Sequence, residues 1–105
     1  MSQRILVLFN LKDGVSREDY EAWATSTDIP GVNGLGSVDR FEVFRSEGLL
    51  FSDDPAPYEY FEVLDINDMD RFGEEAGTEA MTAIANTFQT EMAKDIAFIN
   101  TSPVK

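Results

Sequence analysis

The chain has 105 residues, 43% of them hydrophobic and 27% charged, with no cysteine and no histidine. This length is typical of one domain with a buried core, so we expect residues 1–105 to form a single domain. The missing residue types exclude disulfides, thiolate nucleophiles, Cys/His zinc sites and imidazole acid–base catalysis. We expect neither a metal site nor a cofactor.

The net charge indicates which classes of binding partner to expect. Asp and Glu number 20 against 8 Lys and Arg, which gives a net charge of −12 at pH 7. This field repels phosphate backbones and anionic lipid, so we expect no nucleic-acid and no membrane partner. Residues 1–9 contain one Arg, a short apolar run and no small-residue cleavage site, which indicates a first strand and not a signal peptide. A cytoplasmic protein is the default expectation.

The first half of the chain predicts a strand, a helix and a second strand. An apolar run indicates the strand over residues 4–11, and Ser16 is a suitable N-cap for a helix over about 16–27. The Pro- and Gly-rich stretch 30–36 predicts a loop. The second strand is predicted over residues 38–45.

The second half predicts a strand, two helices and a last strand. A long connection leads to a strand over residues 58–64, which alternates by twos. Asn67 is a candidate cap for a short helix that ends at about residue 75. Thr78 begins a helix with one apolar stripe, and residues 95–100 form the last strand.

The element order β-α-β-β-α-α-β fits a ferredoxin-like α+β fold, with one antiparallel sheet and the helices on one face. Alternation predicts an apolar face beneath the helices: Ile5, Val7, Phe9, Phe41, Val43, Phe61, Val63, Ile96 and Phe98. The second face is mixed: Leu6, Leu8, Asn10, Arg40, Glu42, Phe44, Tyr58, Tyr60, Glu62, Leu64, Ala97 and Ile99. Left open, it is a large apolar patch, so we expect a homodimer that closes an α/β barrel sheet to sheet.

The second face carries the favoured candidate site, with Arg40, Tyr60 and Glu62 as catalytic groups and Asn10, Glu42, Phe44 and Tyr58 as ligand-binding groups. In an enclosed cavity, Glu42 or Glu62 would have a raised pKa and serve as acid or base. Arg40 would hold a carbonyl or anionic oxygen, and Tyr60 would donate to an oxygen or stack on a ring. The alternative is that Arg40 and Glu42 pair with Glu62 across strands or across the dimer.

A second pocket is possible between the helices and the sheet. Tyr20 and Trp23 fall on the apolar side of the first helix, where core packing is the simpler interpretation. A cavity with Trp23, Phe41 and Phe61 as walls would still suit a flat heteroaromatic ligand, with Trp23 as a ligand-binding residue. The sequence does not choose between the two pockets.

Four segments carry a resemblance to a known family: residues 4–11 (RILVLFNL), 20–24 (YEAWA), 28–32 (DIPGV) and 58–63 (YEYFEV). With the element order, they resemble the dimeric α/β-barrel superfamily. The closer resemblance is to the RedY-like (HapK-type) proteins of prodiginine biosynthesis, and it covers nearly the whole chain. It implies a ferredoxin-like dimer that acts in tripyrrole assembly, on the bipyrrole aldehyde intermediate or at its condensation with a monopyrrole.

Two classes of function follow. The first is a protein that binds a pyrrole intermediate, with Glu62 or Tyr60 as proton donor to the aldehyde and Arg40 near its carbonyl oxygen. The second is a non-catalytic module that docks another enzyme of the pathway, such as the condensing enzyme. Its docking surface would be four acidic residues: Glu74, Glu75, Glu79 and Glu91. A cofactor-free monooxygenase of the antibiotic-biosynthesis type is a third option.

Overall fold

A computed structural model describes residues 2–104 of the chain. Four strands form one antiparallel sheet: β1 (Gln3–Leu11), β2 (Val38–Arg45), β3 (Tyr60–Ile66) and β4 (Ala93–Asn100). Their order across the sheet is β2-β3-β1-β4. The helices are α1 (Arg17–Trp23), α2 (Ile29–Asn33), α3 (Met69–Ala76) and α4 (Glu79–Thr87), with π-helical turns at Ala24–Asp28 and Phe88–Met92. The predicted α+β architecture is confirmed, and no helix in the described part of the chain is long and apolar enough to cross a bilayer.

The first helix continues further than the sequence predicted. Instead of ending near residue 27, it runs through a π-helical turn into α2, and much of the predicted loop at 30–36 is helical. The turn directs the Ile29 N–H to the carbonyl of Ala24, five residues back. Pro30 then falls in the first turn of α2, where its missing N–H removes no hydrogen bond.

Side-chain caps fix three helix starts. Ser16 and Thr78 cap α1 and α4 as predicted, and each accepts a backbone N–H from the first turn. The predicted cap of α3 is wrong by one residue, since Asp68 and not Asn67 accepts the first-turn N–H. The Asn67 amide instead donates to the carbonyl of Gly36, in the loop before β2.

Sheet register decides which side chains share a face, because directly opposed residues of antiparallel strands project to the same side. Glu62 lies opposite Val7 of β1 and Val43 of β2, and Tyr60 lies opposite Phe9. Val7 and Phe9 are buried in the core beneath the helices. Tyr60 and Glu62 therefore face the helices, and the prediction that they project from the second face is wrong.

The whole of β3 is reversed relative to the prediction. Phe61 and Val63 were expected beneath the helices, but they lie opposite Leu8 and Leu6 on the open face. Leu64, expected on the open face, lines the space beneath the helices. A one-residue change of phase moves every side chain of a strand to the other face of the sheet.

An aromatic cluster forms the centre of the core. Phe9 stacks on Tyr60 at a ring-centroid distance of 5.5 Å, and it meets Phe88 edge-on at 4.8 Å. Tyr20 of α1 completes the group at 4.7 Å from Tyr60. Trp23 is half-buried beside Tyr20 and packs against this core, which is the simpler of its two sequence interpretations.

No helix formed by residues 2–104 covers the opposite face of the sheet. Apolar side chains project from it at seven positions: Leu6, Leu8, Phe44, Phe61, Val63, Ala97 and Ile99. Phe44 is 46% exposed and Ile99 is 43% exposed. The large apolar patch predicted from the sequence is therefore present on this face, although β3 contributes different residues to it.

Asn33 fastens α2 to the edge strand β2. Its amide donates to the Phe41 carbonyl at 2.9 Å and accepts the Phe41 N–H at 3.0 Å. We expect Asn33→Ala to lower the free energy of unfolding by about 1–2 kcal/mol, because both backbone groups lose their partner. Asn33→Asp should cost less, since a carboxylate still accepts the N–H. Urea unfolding followed by circular dichroism measures both, and equal losses would contradict this account.

Candidate functional site

A cavity of about 250 Å³ lies between the sheet and the helices. Its walls are mostly apolar and come from both layers, including Phe41 and Leu64 of the sheet and Val32, Met81 and Ile84 of the helices. Three polar side chains interrupt this lining: Asp28, Glu62 and Gln89. The cavity corresponds to the second of the two pockets that the sequence allowed.

Glu62 projects into this cavity from the middle of β3. The residue is 5% exposed, and its Oε2 atom has no hydrogen-bond partner among the described residues. Burial raises the pKa of Glu62 well above its usual range, and the nearby Asp28 charge raises it further. Glu62 therefore keeps its proton to a higher pH than an exposed glutamate, as a general acid requires.

Asp28 is a second buried carboxyl of the cavity that the sequence analysis did not single out as a site residue. It lies in the first π-helical turn and is 5% exposed, and burial raises its pKa to about 6. A signal was present, because Tyr20, Ala24 and Asp28 follow one another at helical spacing and the first two are apolar core residues. Ending the predicted helix at residue 27 hid that signal.

The Tyr20 hydroxyl is another buried polar group and, like Glu62 Oε2, it has no hydrogen-bond partner among the described residues. Burial raises its pKa far above the usual range, with further increases from the charges of Glu62 and Asp28. Tyr20 therefore remains a neutral hydrogen-bond donor. Two unpaired buried polar atoms, Tyr20 Oη and Glu62 Oε2, are thus found in one part of the core, where each would gain free energy from a partner.

Tyr60, predicted to be catalytic, lines a smaller neighbouring cavity of about 150 Å³. Its hydroxyl donates to Glu21 Oε2 at 2.6 Å, and the Nε atom of Arg45 donates to the same oxygen at 2.7 Å. Arg45 chiefly, and Tyr60 next, hold the pKa of Glu21 at about 2. Burial, followed by this hydrogen bond, raises the pKa of Tyr60 to about 12. The hydroxyl is therefore occupied, and Tyr60 does not line the larger cavity.

The other predicted site residues of β2 lie on the opposite side of the sheet from Glu62. Arg40 Nε is 2.7 Å from Glu42 Oε1 and 3.6 Å from Asp65 Oδ2. The pairing of Arg40 with Glu42 that the sequence allowed is present, but Glu62 takes no part because the sheet separates them. Phe44 shares this open face. The predicted grouping of all these residues around Glu62 is wrong.

Asn10 and Tyr58 lie where the chain enters β3. Asn10 Oδ1 accepts the Glu59 N–H at 2.9 Å, and its amide donates to the Pro57 carbonyl at 3.2 Å. Tyr58 is half-buried in the segment before β3 and lines a shallow surface depression. Asn10 therefore has a structural role in holding this segment, and neither residue reaches the larger cavity.

The predicted walls of the pocket beneath the helices are only partly correct. Phe41 lines the larger cavity. Trp23 belongs to the edge of the aromatic core and lines neither of the two cavities, and Phe61 lies on the open face. Among residues 2–104, no group of three or more acidic side chains lies close enough together to hold a metal ion.

Glu75 was predicted to belong to an acidic docking surface, but its carboxylate has a structural role. It accepts the backbone N–H groups of Gly36 at 3.1 Å and Ser37 at 2.9 Å, as well as the Ser37 hydroxyl. Arg71 lies 3.5 Å away on the same helix. These contacts hold α3, which supplies Met69 and Phe72 to the cavity lining, against the loop before β2.

Solved structures of known proteins share this fold. HapK from Hahella chejuensis is 27% identical, with a TM-score of 0.77 over 99% of this chain and 93% of that chain. A dabb family protein with a ferredoxin-like fold from Mesorhizobium loti is 17% identical, with a TM-score of 0.70 over 99% and 98%. A dimeric ferredoxin-like protein from Thermobifida fusca is 19% identical, with a TM-score of 0.72 over 98% and 92%. The predicted ferredoxin-like fold is confirmed.

The family assignment comes from the sequence. No curated protein matches the chain significantly. The family described as REDY-like protein HapK matches residues 3–104, which is nearly the full length and includes both the cavity and the open sheet face. The chain therefore belongs to the REDY-like HapK family.

Proposed function

We propose that the protein binds a pyrrole intermediate of prodiginine-type pigment biosynthesis in the cavity between the helices and the sheet. There it assists formation of the bipyrrole aldehyde or its condensation with a monopyrrole. The observation that carries the proposal is the unpaired Oε2 atom of Glu62 in a mostly apolar cavity. A buried polar atom without a partner favours a ligand that supplies one. Membership of the HapK family supports a role in a biosynthetic pathway.

The cavity suits a flat heteroaromatic molecule. Its volume of about 250 Å³ is slightly below the roughly 300 Å³ at which drug-sized ligand pockets begin, which favours a ligand of one or two five-membered rings. Apolar walls from Phe41 and Phe88 would contact the ring faces, and a pyrrole N–H would donate to a carboxyl oxygen.

The raised pKa of Glu62 suits the chemistry of condensation. An aldehyde that condenses with a pyrrole needs a proton on its carbonyl oxygen, and that oxygen then leaves as water. A neutral carboxyl in a water-poor site supplies such a proton. Arg40, which we expected near the carbonyl oxygen, lies on the opposite side of the sheet and has no role in this proposal.

The open sheet face is the proposed homodimer interface. Its central apolar residues include Leu8, Phe61 and Val63, and no helix of the described chain covers them. Contiguous apolar surface of this kind marks an interaction site, and a two-fold dimer uses the same face twice. Related structures described as dimeric ferredoxin-like proteins support this assembly. The ligand cavity lies on the other side of the sheet, so each subunit would keep its own site.

Methyl NMR tests the binding proposal. Addition of the methoxy-bipyrrole aldehyde to protein with labelled methionine methyls should give saturable shifts at Met69 and Met81, which line the cavity. Glu62→Gln should raise the dissociation constant about tenfold, because a hydrogen bond of roughly 1.5 kcal/mol to the carboxyl is lost.

Two variants serve as controls. Glu42→Gln makes the same chemical change on the open face and should leave the affinity unaltered. Tyr60→Phe removes the hydroxyl from Glu21 and leaves the lining of the larger cavity intact, so its affinity should also be unchanged. In a parallel titration that follows the backbone amides, saturable shifts confined to Arg40, Glu42 and Phe44 would instead move the site to the barrel interior. No saturable shift in either experiment would reject direct binding.

A further inference from the structure

Asp28 and Glu62 are the two buried acidic residues among residues 2–104, and no cation accompanies either carboxyl. Other acidic side chains of the chain do form ion pairs: Glu21 with Arg45, Asp65 with Arg4 and Asp13 with Lys94. Within residues 2–104, neither Asp28 nor Glu62 forms an ion pair. Both are 5% exposed and both line the same cavity.

The groups that face the two carboxyls do not supply a positive charge. From α1 comes the neutral Tyr20 hydroxyl, which has no partner in the described structure. The helical lining from α3, α4 and the second π-helical turn contains no ionisable side chain and only one polar one, Gln89. The sheet contributes apolar side chains besides Glu62 itself. The ionisable groups that line the cavity are therefore all acidic.

We propose that the cavity selects a flat heteroaromatic cation, with its positive charge held by the Asp28 and Glu62 carboxyls. An ionised carboxyl within this buried pair is stabilised by a partner of opposite charge, and the described chain provides none, so the ligand provides it. For the same reason, carboxylate and phosphate ligands are excluded. This inference deepens the proposed function and rests on it, because it assigns a charge to the ligand of the same cavity.

The selection also fits the proposed condensation chemistry. When Glu62 gives its proton to the carbonyl oxygen of a pyrrole aldehyde, the aldehyde becomes a cation whose charge spreads onto the ring nitrogen. Glu62 becomes a carboxylate in the same step, so the charge of the site and ligand together is conserved. The carboxyl pair then faces the positive charge as it forms, which is where electrostatic stabilisation accelerates a reaction.

Three probes of nearly equal size isolate the charge of the ligand: benzamidine is a cation, benzamide is neutral and benzoate is an anion. At about pH 8, we expect benzamidine to bind at least about tenfold more tightly than benzamide, with saturable shifts at the Met69 and Met81 methyls. Benzoate should give no saturable shift there. The preference for benzamidine should decrease as the pH falls below about 6, because Asp28 gains its proton.

Asp28→Asn should reduce the advantage of benzamidine over benzamide to less than about threefold and remove its pH dependence. Asp54→Asn makes the same change in an exposed loop and should keep the full preference. If Asp28→Asn does not fold, Glu62→Gln provides the second test, and it should weaken benzamidine more than benzamide.

Equal affinities for benzamidine and benzamide would overturn the inference, as would benzoate binding at the cavity methyls. Benzamidine shifts that avoid Met69 and Met81 would show binding to the acidic surface and would also overturn it. The bipyrrole aldehyde separates the two proposals. If the aldehyde binds and no cation preference appears, only the inference fails; if the preference appears and the aldehyde does not bind, only the proposed substrate fails.

Discussion

The free energy of unfolding is expected to fall as the pH rises from about 5 to about 8, and Asp28 alone should contribute about 1 kcal/mol to this fall. Burial raises the pKa of Asp28 to about 6 and that of Glu62 well above its usual range. In this pH range the folded protein holds protons that the unfolded chain has released. Raising the pH therefore favours the unfolded chain, and the stability contributed by the two neutral carboxyls is lost as each folded-state pKa is passed.

The amino-acid composition leaves few groups that titrate between pH 5 and pH 8. The chain contains no histidine, so no imidazole titrates between the acidic and basic side chains. Carboxylates paired with cations, such as Glu21 with a pKa of about 2, make the free energy of unfolding depend on pH in the opposite direction. Their stabilisation is present above the ordinary carboxyl pKa of about 4 and is lost only below it. The fall between pH 5 and 8 can thus be assigned to the buried pair.

Urea unfolding at several pH values measures the effect. Asp28→Asn and Glu62→Gln should each reduce the fall in unfolding free energy, and the double variant should show almost none. Asp54→Asn, in an exposed loop, should retain the full pH dependence of the parent. A parent protein whose stability stays constant or rises from about pH 5 to about pH 8 would contradict the burial of two uncompensated carboxyls.

The order of elements could be predicted from the sequence because local signals mark it. The second strand begins and ends at the predicted residues, 38 and 45. Ser16 and Thr78 cap the helices that they were expected to cap. Alternation, capping residues and helical spacing are properties of neighbouring residues. They predict which elements form without information on how distant strands pair.

Alternation could not predict which face of the sheet each side chain of β3 occupies. The position of the candidate site depends on that assignment, so it was predicted on the wrong face. Both faces of β3 carry large apolar side chains, so the usual contrast between an apolar and a polar face is absent. A long-range signal was available in Asp65, just beyond the predicted end of the strand. Its carboxylate lies 2.7 Å from Arg4 Nε across the sheet, which places Asp65 on the open face and Glu62 beneath the helices.

Asp28 illustrates a different limit. Pro30 is an ordinary signal for the end of a helix, and a π-helical turn that carries the chain past it depends on packing against the core. An acidic residue expected in a loop gives no reason to predict a buried carboxyl. Once the helix is continued, Asp28 falls on the same stripe as Tyr20 and Ala24, and its burial follows.

Leu8→Asp is expected to convert the proposed dimer into a monomer. Leu8 lies near the middle of the open face, opposite Phe61 on one side and Ala97 on the other. In a two-fold interface the substitution occurs twice, and each buried, unpaired carboxylate costs several kcal/mol. The dimer dissociation constant should therefore rise by a factor of about 1,000 or more. Sedimentation equilibrium measures the change directly.

The same variant also distinguishes the two possible pockets. A site in the barrel interior needs both subunits, whereas the cavity with Asp28 and Glu62 is built by one chain on the other side of the sheet. Monomeric Leu8→Asp should therefore keep the ligand shifts at Met81. Ala83→Asp, on the exposed surface of α4, adds the same charge and should remain a dimer. A parent that is already monomeric would contradict the sheet-to-sheet interface, and loss of Met81 shifts in a folded monomer would place the site between subunits.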